Sequence, residues 1–468
     1  MTEDGSPRRV ALYTLGCKTN QYDSGRLAEE FEASGFRLVP FGEPADVYVI
    51  NTCTVTAEAD REARSAARRA RARRPGAVVV ATGCYVAVDP AAMAAIPGVR
   101  LLNGSGLVRR VEELLAARPG ADGARGDRGV GVCECGSKEA TGTSTPPYSH
   151  TLMPTHPHAP ALPHPHTPTL PTRTRQVLKI QEGCNYRCAY CVVPRARGKA
   201  RSRPLDEVLA ESRRRVESGF RELVLTGTCI GSYGQDLRPR ARLVECAGAI
   251  AAIPGLARLR ISSIEPWEVE EDLIELAANH PVVCRHFHLP VQSGDDGVRR
   301  RMRRPGSGEQ FAALVASIRE AMPDAGITTD VIVGTPGETE AEFARTLDFC
   351  REIAFSRMHV FRYSPRPFTP AAAQPDRVPR PVQDARSRAL IRLGEEMADA
   401  FARRWVGSVV PVLVEGPHGR DGLLEGLTGS YIRARFPGDA ALHGRMVGVE
   451  ALDARAGCLI GRVVNGDE

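Results

Sequence analysis

Short apolar runs alternate with longer stretches of helix-forming residues over much of the chain. Between Arg9 and about Arg118, strands are predicted at Val10–Leu15, Val47–Ile50 and Ala77–Thr82. Helices are predicted between them at Asp23–Ser34, ending near Gly35, and at Ala57–Arg73, a stretch rich in Ala and Arg. Strand–helix alternation with short apolar strands predicts a parallel α/β sheet.

The pattern stops between Gly120 and Thr174. Pro146 to Pro171 contains nine prolines and five histidines, His150, His156, His158, His164 and His166, with no periodicity. Such a segment cannot bury enough apolar area to offset its ordering entropy, so a disordered linker or insertion is expected. Its His-Pro-His pairs also permit metal binding. Alternation resumes from Gln176 to about Phe401. Strands are predicted at Leu178–Gln181, Glu222–Leu225, Leu259–Ser262, His286–Leu289, Ile327–Val333 and Arg357–Phe361, with helices such as Leu205–Ser218 and Glu309–Glu320. Six such units point to an open or partial parallel barrel. The tail then changes to β-type runs at Val409–Glu415, Leu423–Thr428, Ile432–Phe436, Arg445–Ala451 and Cys458–Val463. Punctuated by Gly, Pro and Asp, they predict a small antiparallel barrel.

At 468 residues the chain is too long for one ordinary core. No apolar run reaches the roughly 18 residues of a membrane span, and no secretory leader is visible at Met1–Arg9. A cytoplasmic location and no membrane partner are the expectations. The formal charge of +6 permits a nucleic-acid partner without requiring one. The 13 cysteines change the picture. An odd number without an export signal argues against a disulfide framework and leaves thiolates available for metal.

Cys184, Cys188 and Cys191 have the spacing C-x3-C-x2-C on one loop after a strand, with Tyr190 before the last. Three thiolates can hold three irons of a cubane and leave the fourth open, unlike a four-cysteine ferredoxin loop. An open iron of this kind chelates S-adenosylmethionine in the radical-SAM superfamily. A zinc site short of one ligand and three unrelated cysteines are the alternatives. Cys17, Cys53 and Cys84 each follow a strand, and strand ends of a parallel sheet share one edge, so three distant thiolates can converge there. Small buried cysteines near strand ends are the competing reading. Cys133, Cys135, Cys229, Cys246, Cys284, Cys350 and Cys458 form no spaced set and read as structural, apart from weak metal binding by the linker pair.

At these residues the chain resembles the radical-SAM methylthiotransferase family. The strings Leu15-Gly-Cys-Lys-Thr-Asn-Gln-Tyr-Asp-Ser24, Asn51-Thr-Cys-Thr-Val55 and Thr82-Gly-Cys84 are similar to three family blocks. So are His288-Leu-Pro-Val-Gln-Ser-Gly294, Thr329-Asp-Val-Ile-Val-Gly334 and Tyr363-Ser-Pro-Arg-Pro367. The chain departs from the family at Thr335, where an aromatic is expected, and at Phe368, where a glycine is expected. The resemblance implies an α/β chain in four parts: an N-terminal parallel α/β cluster domain (1–125), the Pro/His-rich insertion (126–174), a partial (β/α) radical-SAM barrel (175–404) and a C-terminal TRAM-type β-barrel that binds RNA (405–468). It implies two [4Fe-4S] clusters, on Cys17, Cys53 and Cys84 and on Cys184, Cys188 and Cys191, together with S-adenosylmethionine. Gly227, Gly334 and Glu265 are the expected S-adenosylmethionine contacts.

The implied activity is radical insertion of a methylthio group into a tRNA base. The Leu15–Tyr22 string and Arg260-Ile-Ser-Ser-Ile-Glu-Pro266 are similar to the branch acting on N6-threonylcarbamoyladenosine at position 37, next to the anticodon. The Ser-Ser-x-Glu edge is expected to face the substrate at the barrel mouth. Isopentenyladenosine, a ribosomal-protein aspartate and a non-radical iron–sulfur RNA-binding protein are the alternatives. The anticodon stem-loop and an electron donor such as flavodoxin or ferredoxin are the expected partners. The basic run Arg195, Arg197, Lys199, Arg201 and Arg203, and the tail residues Arg403, Arg404, Arg433 and Arg435, are candidate phosphate contacts.

Overall fold

The structure, a computed structural model, describes residues 6–117, 174–418 and 422–466. The Pro/His-rich segment, with Cys133 and Cys135, lies outside the described residues, as does the expected boundary at 125. The mixed α/β layout anticipated from the sequence is present, in three bodies.

The first is a five-stranded parallel sheet. Its spatial order is Arg37–Leu38, Arg9–Thr14, Val47–Thr52, Val78–Gly83, Val99–Leu101. The central strand Val47–Thr52 is buried along its whole length, because helices cover both faces. Ala63, Ala66, Ala67 and Ala70 recur at helical spacing on Ala57–Arg73 and form one buried stripe against the sheet. Phe31, Leu107 and Val111 pack on the other face. Thr56 caps the Ala57–Arg73 helix by accepting from the Ala59 amide at 3.2 Å. The first helix runs Lys18–Ala33, starting five residues before the predicted Asp23. Its first turn holds Asn20 and the residues after Cys17, so the cysteine loop passes directly into a helix.

The second body is an incomplete parallel barrel. Arg175–Lys179, Glu222–Thr226 and Arg258–Ile261 form one three-stranded sheet, and His286–His288, Gly326–Val333 and Arg357–Arg362 another. Only single bridges, Leu259 to Val283 and Ser263 to His288, join the halves. Helices such as Leu205–Glu217 and Gly308–Ala321 enclose one apolar core.

The third body is a closed five-stranded barrel over Val409–His418, Leu423–Thr428, Arg433–Phe436, Met446–Arg455 and Cys458–Gly466. One seam departs from the antiparallel expectation: Arg433–Phe436 pairs in parallel with Cys458–Gly466. The chain leaves Arg433–Phe436 through a short 3-10 turn and a further strand before returning beside it, so the two must run the same way.

This barrel seals the base of the second body. Arg260 donates from Nη1 to Gly429 O (2.9 Å) and from Nη2 to Thr428 O (3.0 Å), while its Nε meets Glu222 Oε1 at 2.8 Å. Arg258 donates to Leu427 O and Pro411 O, each at 2.5 Å. Tyr431 stacks on His286 with ring centres 4.5 Å apart. Arg260 and His286 therefore face the C-terminal barrel, not the mouth. The Arg260–Pro266 string starts at this seal, with Ser262 buried along it.

Candidate functional site

The N-terminal sheet docks its strand ends onto the mouth of the incomplete barrel through buried polar contacts. Arg366 pairs with Asp60 at 2.6 Å and donates to Thr54 O at 3.2 Å. Tyr22 and Arg203 both donate to Glu211 Oε2, at 2.9 and 2.8 Å. Lys179 pairs with Asp23 at 2.5 Å. These contacts hold the two sets of cysteine loops against each other.

Cys17, Cys53 and Cys84 come together at the strand ends. Gly16 has φ +93°, and a Cβ there would lie 2.5 Å from Cys53 Sγ, so only glycine admits the neighbouring thiol. Asn20 Nδ2 binds Leu15 O and Thr52 O at 2.6 and 3.0 Å, tying the first cysteine loop to the second. Cys53 and Cys84 are buried and Cys17 is exposed. Burial pushes the Cys53 thiol up to about 11, and the neighbouring Cys17 and Cys84 thiols add to that rise. Burial likewise raises Cys84, against the opposing pull of Arg197. Three thiols this close, at a concave edge, suit a cation-rich cluster that replaces their protons.

Cys184, Cys188 and Cys191 lie on a tight loop in which Cys191 N donates to Cys188 O at 3.1 Å. Gly183, at φ +77°, passes so close to the Lys199 carbonyl that a Cβ would overlap it. The Tyr186 amide donates to Cys184 Sγ at 3.4 Å, the kind of N–H that stabilises a bound thiolate. Burial raises Cys188, and raises Cys191 to about 12. Both donor sets fit a thiolate-held cluster.

Three nearby residues have surroundings that the sequence did not reveal. Cys229, read as structural, lies beside Cys184, and its hydrogen-bonding interaction holds the Cys184 thiol below its ordinary value. Cys229 Sγ also meets Glu268 Oε1 at 3.2 Å, and Tyr186 OH meets the same oxygen at 3.0 Å. Arg304 is buried and pairs with Glu265 at 2.6 Å. Arg197 is buried beside Cys84. Only the crowding of polar residues after the cysteine motif hinted at any of these.

The expected S-adenosylmethionine contacts occupy mixed surroundings. Gly227 packs on Gln181, where a Cβ would lie 2.8 Å from its carbonyl oxygen. Gly334 has φ +75° and donates its amide to Glu338. Glu265 flanks the radical-site loop through Arg304, half-buried rather than on an exposed loop. Three members of the basic run are already engaged, while Lys199 and Arg201 stay exposed. Arg203 is engaged with Glu211, Arg197 with Asp23 and Glu182, and Arg195 lies 3.8 Å over the Phe368 ring. In the tail, Arg433 and Arg435 pair with Glu425, and Arg403 with Asp399. Phe368 itself takes φ +66°, a left-handed conformation that suits the glycine expected there.

A cleft of about 150 Å³ opens beside Cys191, facing the segment just past Cys53. Val55 and Thr56, just past Cys53, line one side, and Tyr190 and Cys191 the other. Asp330 projects into it between two histidines, 3.3 Å from His288 Nε2 and 3.1 Å from His359 Nδ1. Burial alone would raise the Asp330 carboxyl, but the histidine hydrogen bonds outweigh it and hold the group far below the usual carboxylate range. No helix of the described residues is long and apolar enough to cross a membrane.

Comparison with known proteins agrees with this geometry. The profile of the radical SAM superfamily matches residues 178–350, and that of the uncharacterized protein family UPF0004 matches residues 9–104. The threonylcarbamoyladenosine tRNA methylthiotransferase MtaB of Bacillus subtilis is 36% identical, over 95% of this chain and 94% of its own length. The ribosomal protein uS12 methylthiotransferase RimO of Roseiflexus is 34% identical, over 86% of this chain and 85% of its own. The tRNA-2-methylthio-N(6)-dimethylallyladenosine synthase of Salinispora arenicola is 36% identical, over 89% and 78%. The radical S-adenosylmethionine methyltransferase TsrM of Kitasatospora setae shares the fold, with a TM-score of 0.52 at 17% identity over 78% of this chain and 74% of its own. With relatives of this identity spanning nearly its whole length, the chain belongs to the radical-SAM methylthiotransferase family.

Proposed function

We propose that this chain converts N6-threonylcarbamoyladenosine at tRNA position 37 to its 2-methylthio derivative. One observation carries the reaction class: a single cleft is lined by Cys191 of one set and by Val55–Thr56, which directly follow the Cys53 loop of the other. A base held there lies within reach of both. The ligands in this reading are Cys17, Cys53 and Cys84 for the auxiliary cluster and Cys184, Cys188 and Cys191 for the radical cluster. When bound, the clusters and S-adenosylmethionine supply a carbon radical and a methyl-bearing sulfur.

The chain's own residues hold and orient the base. Ile332 and Tyr363 offer apolar surface to an aromatic ring. Asp330, ionised between its histidines, is an acceptor for the N–H and O–H groups of a threonylcarbamoyl chain. Arg362, also on the cleft and paired with Asp384 at 2.6 Å and Glu58 at 3.3 Å, adds positive charge on the side where the substrate carboxylate would lie. An isopentenyl tail would leave these groups unmatched. The MtaB proteins of Bacillus subtilis, Aquifex aeolicus and Thermotoga maritima, 32–36% identical, favour the same substrate. The assignment includes Gly227, Gly334 and Glu265 near S-adenosylmethionine, the C-terminal barrel on the anticodon stem-loop, a flavodoxin- or ferredoxin-type electron donor and a cytoplasmic setting. It keeps the four-part division at 125, 174 and 404.

Nucleoside mass spectrometry of tRNA from cells lacking the gene tests the substrate. Unmethylthiolated threonylcarbamoyladenosine should accumulate while methylthio-isopentenyladenosine stays normal. The reverse pattern would assign the chain to the isopentenyl branch.

A further inference from the structure

Arg197 belongs to the radical-SAM half of the chain but points its guanidinium into the other half. It ends the short helix Val193–Arg197, six residues after Cys191. Its Nε donates to Cys84 Sγ at 3.2 Å. Nη2 donates to Asn20 Oδ1 and, at 3.0 Å, to Asp23 Oδ2, while Nη1 donates to Glu182 Oε1. The side chain is only 8% exposed.

An ion pair that merely docks two bodies needs carboxylates, and Lys179 already meets both Asp23 and Glu182. Arg197 adds a directed N–H on sulfur. Buried N–H···S contacts matter most when the sulfur is a charged cluster ligand. They withdraw electron density from the thiolate and favour the reduced cluster. The planar fork also fixes where that sulfur stands: two N–H groups are anchored on Asn20, Asp23 and Glu182, which leaves Nε a single direction.

We propose that Arg197 is a positioning residue for the auxiliary cluster: it pins Cys84 to the radical-site loop and raises the cluster's reduction potential through the Nε–H···Sγ bond. The proposal rests on the two-cluster reading above. It ties the placement of one cluster to the loop that carries the other, in addition to the Arg366, Glu211 and Lys179 contacts that dock the two bodies.

The test uses the full-length chain, anaerobically reconstituted, with Cys184, Cys188 and Cys191 replaced by Ala so that only the auxiliary cluster is seen. Its midpoint is followed by paramagnetic resonance during a redox titration. Arg197→Met should move the midpoint to a more negative potential than the Arg197 parent. Arg197→Lys keeps the charge but cannot reach sulfur and both carboxylates together, and should fall between. An unshifted midpoint in a Met variant with full iron content overturns the proposal. If the Met variant holds no cluster, the Lys variant decides, and an unshifted midpoint there overturns it equally. A parent protein that takes up no iron at all would instead sink the cluster reading beneath the proposal.

Discussion

The two cysteine sets reach similar arrangements by opposite routes. Cys184, Cys188 and Cys191 sit on one loop whose shape is local: a backbone turn from Cys188 to Cys191 and a glycine pressed on Lys199. Cys17, Cys53 and Cys84 come from three strands, and only the pairing of Arg9–Thr14, Val47–Thr52 and Val78–Gly83 brings them together. The first set needs a loop; the second needs a folded sheet. Damage to the sheet should therefore cost the auxiliary site before the radical site.

The largest effects come from removing the ligands. Replacing Cys184, Cys188 and Cys191 by Ala should abolish reductive cleavage of S-adenosylmethionine and leave about four of eight irons. Replacing Cys17, Cys53 and Cys84 should lose a similar share of iron and all methylthiolation, while cleavage to 5′-deoxyadenosine persists. Iron analysis and product chromatography distinguish the two; loss of cleavage in the second variant would show that the sites are not independent.

The glycines sharpen the contrast. Gly16→Ala places a methyl 2.5 Å from Cys53 Sγ, at a backbone angle that costs an L-residue about 1–2 kcal/mol. It should deplete the auxiliary cluster alone. Gly183→Ala meets backbone rather than a side chain, so the main chain must move, and the radical cluster should be lost instead. Paramagnetic resonance with and without S-adenosylmethionine identifies which signal survives.

A change at the barrel base should spare both sites. Arg260→Met leaves Glu222 buried with Arg258 only 3.8 Å away, and breaking such a pair costs about 3–5 kcal/mol. The thermal midpoint should fall, with iron content per folded chain unchanged.

The smallest effect concerns pH. Burial first, and then the nearby Arg260 charge, holds His286 well below its ordinary value of 6.5, so it is neutral when folded. A depressed basic group stabilises the fold above its unfolded value, and that contribution is lost as pH falls below it. Thermal midpoints should fall as pH drops below about 6.5, and the fall should shrink in His286→Gln. An equal drop in both proteins would remove His286 from the account.

This contrast also explains what was legible in the sequence. The Cys184–Cys191 loop stood out directly because its three cysteines are neighbours in sequence. The second set required the strand-end argument, which brings residues to one edge but says nothing of distance. The Ala57–Arg73 helix was read to the residue because its alanine stripe and Thr56 cap are local signals. Cys229 was missed because its partner, Cys184, is 45 positions away, and nothing in its own surroundings marks it. Arg197 and Arg203 read as candidate phosphate contacts because a basic run does not reveal acceptors contributed from elsewhere in the fold. The parallel seam of the last barrel was equally hidden, since strand direction depends on the route of the connection and not on the strand's own residues.

The turn Thr428–Tyr431 has a consequence for modularity. Its carbonyls are held by Arg260, Tyr431 lies on His286, and Ser430 presses so near Gly326 that no side chain would fit there. The terminal barrel is therefore not an appendage that can be exchanged at the end of the Arg380–Arg403 helix. A hybrid that borrows this barrel from another branch inherits a cork cut for a different bottle. To stay watertight it must bring along its own counterparts of Glu222, Arg258, Arg260, His286 and Gly326, residues that lie more than a hundred positions upstream.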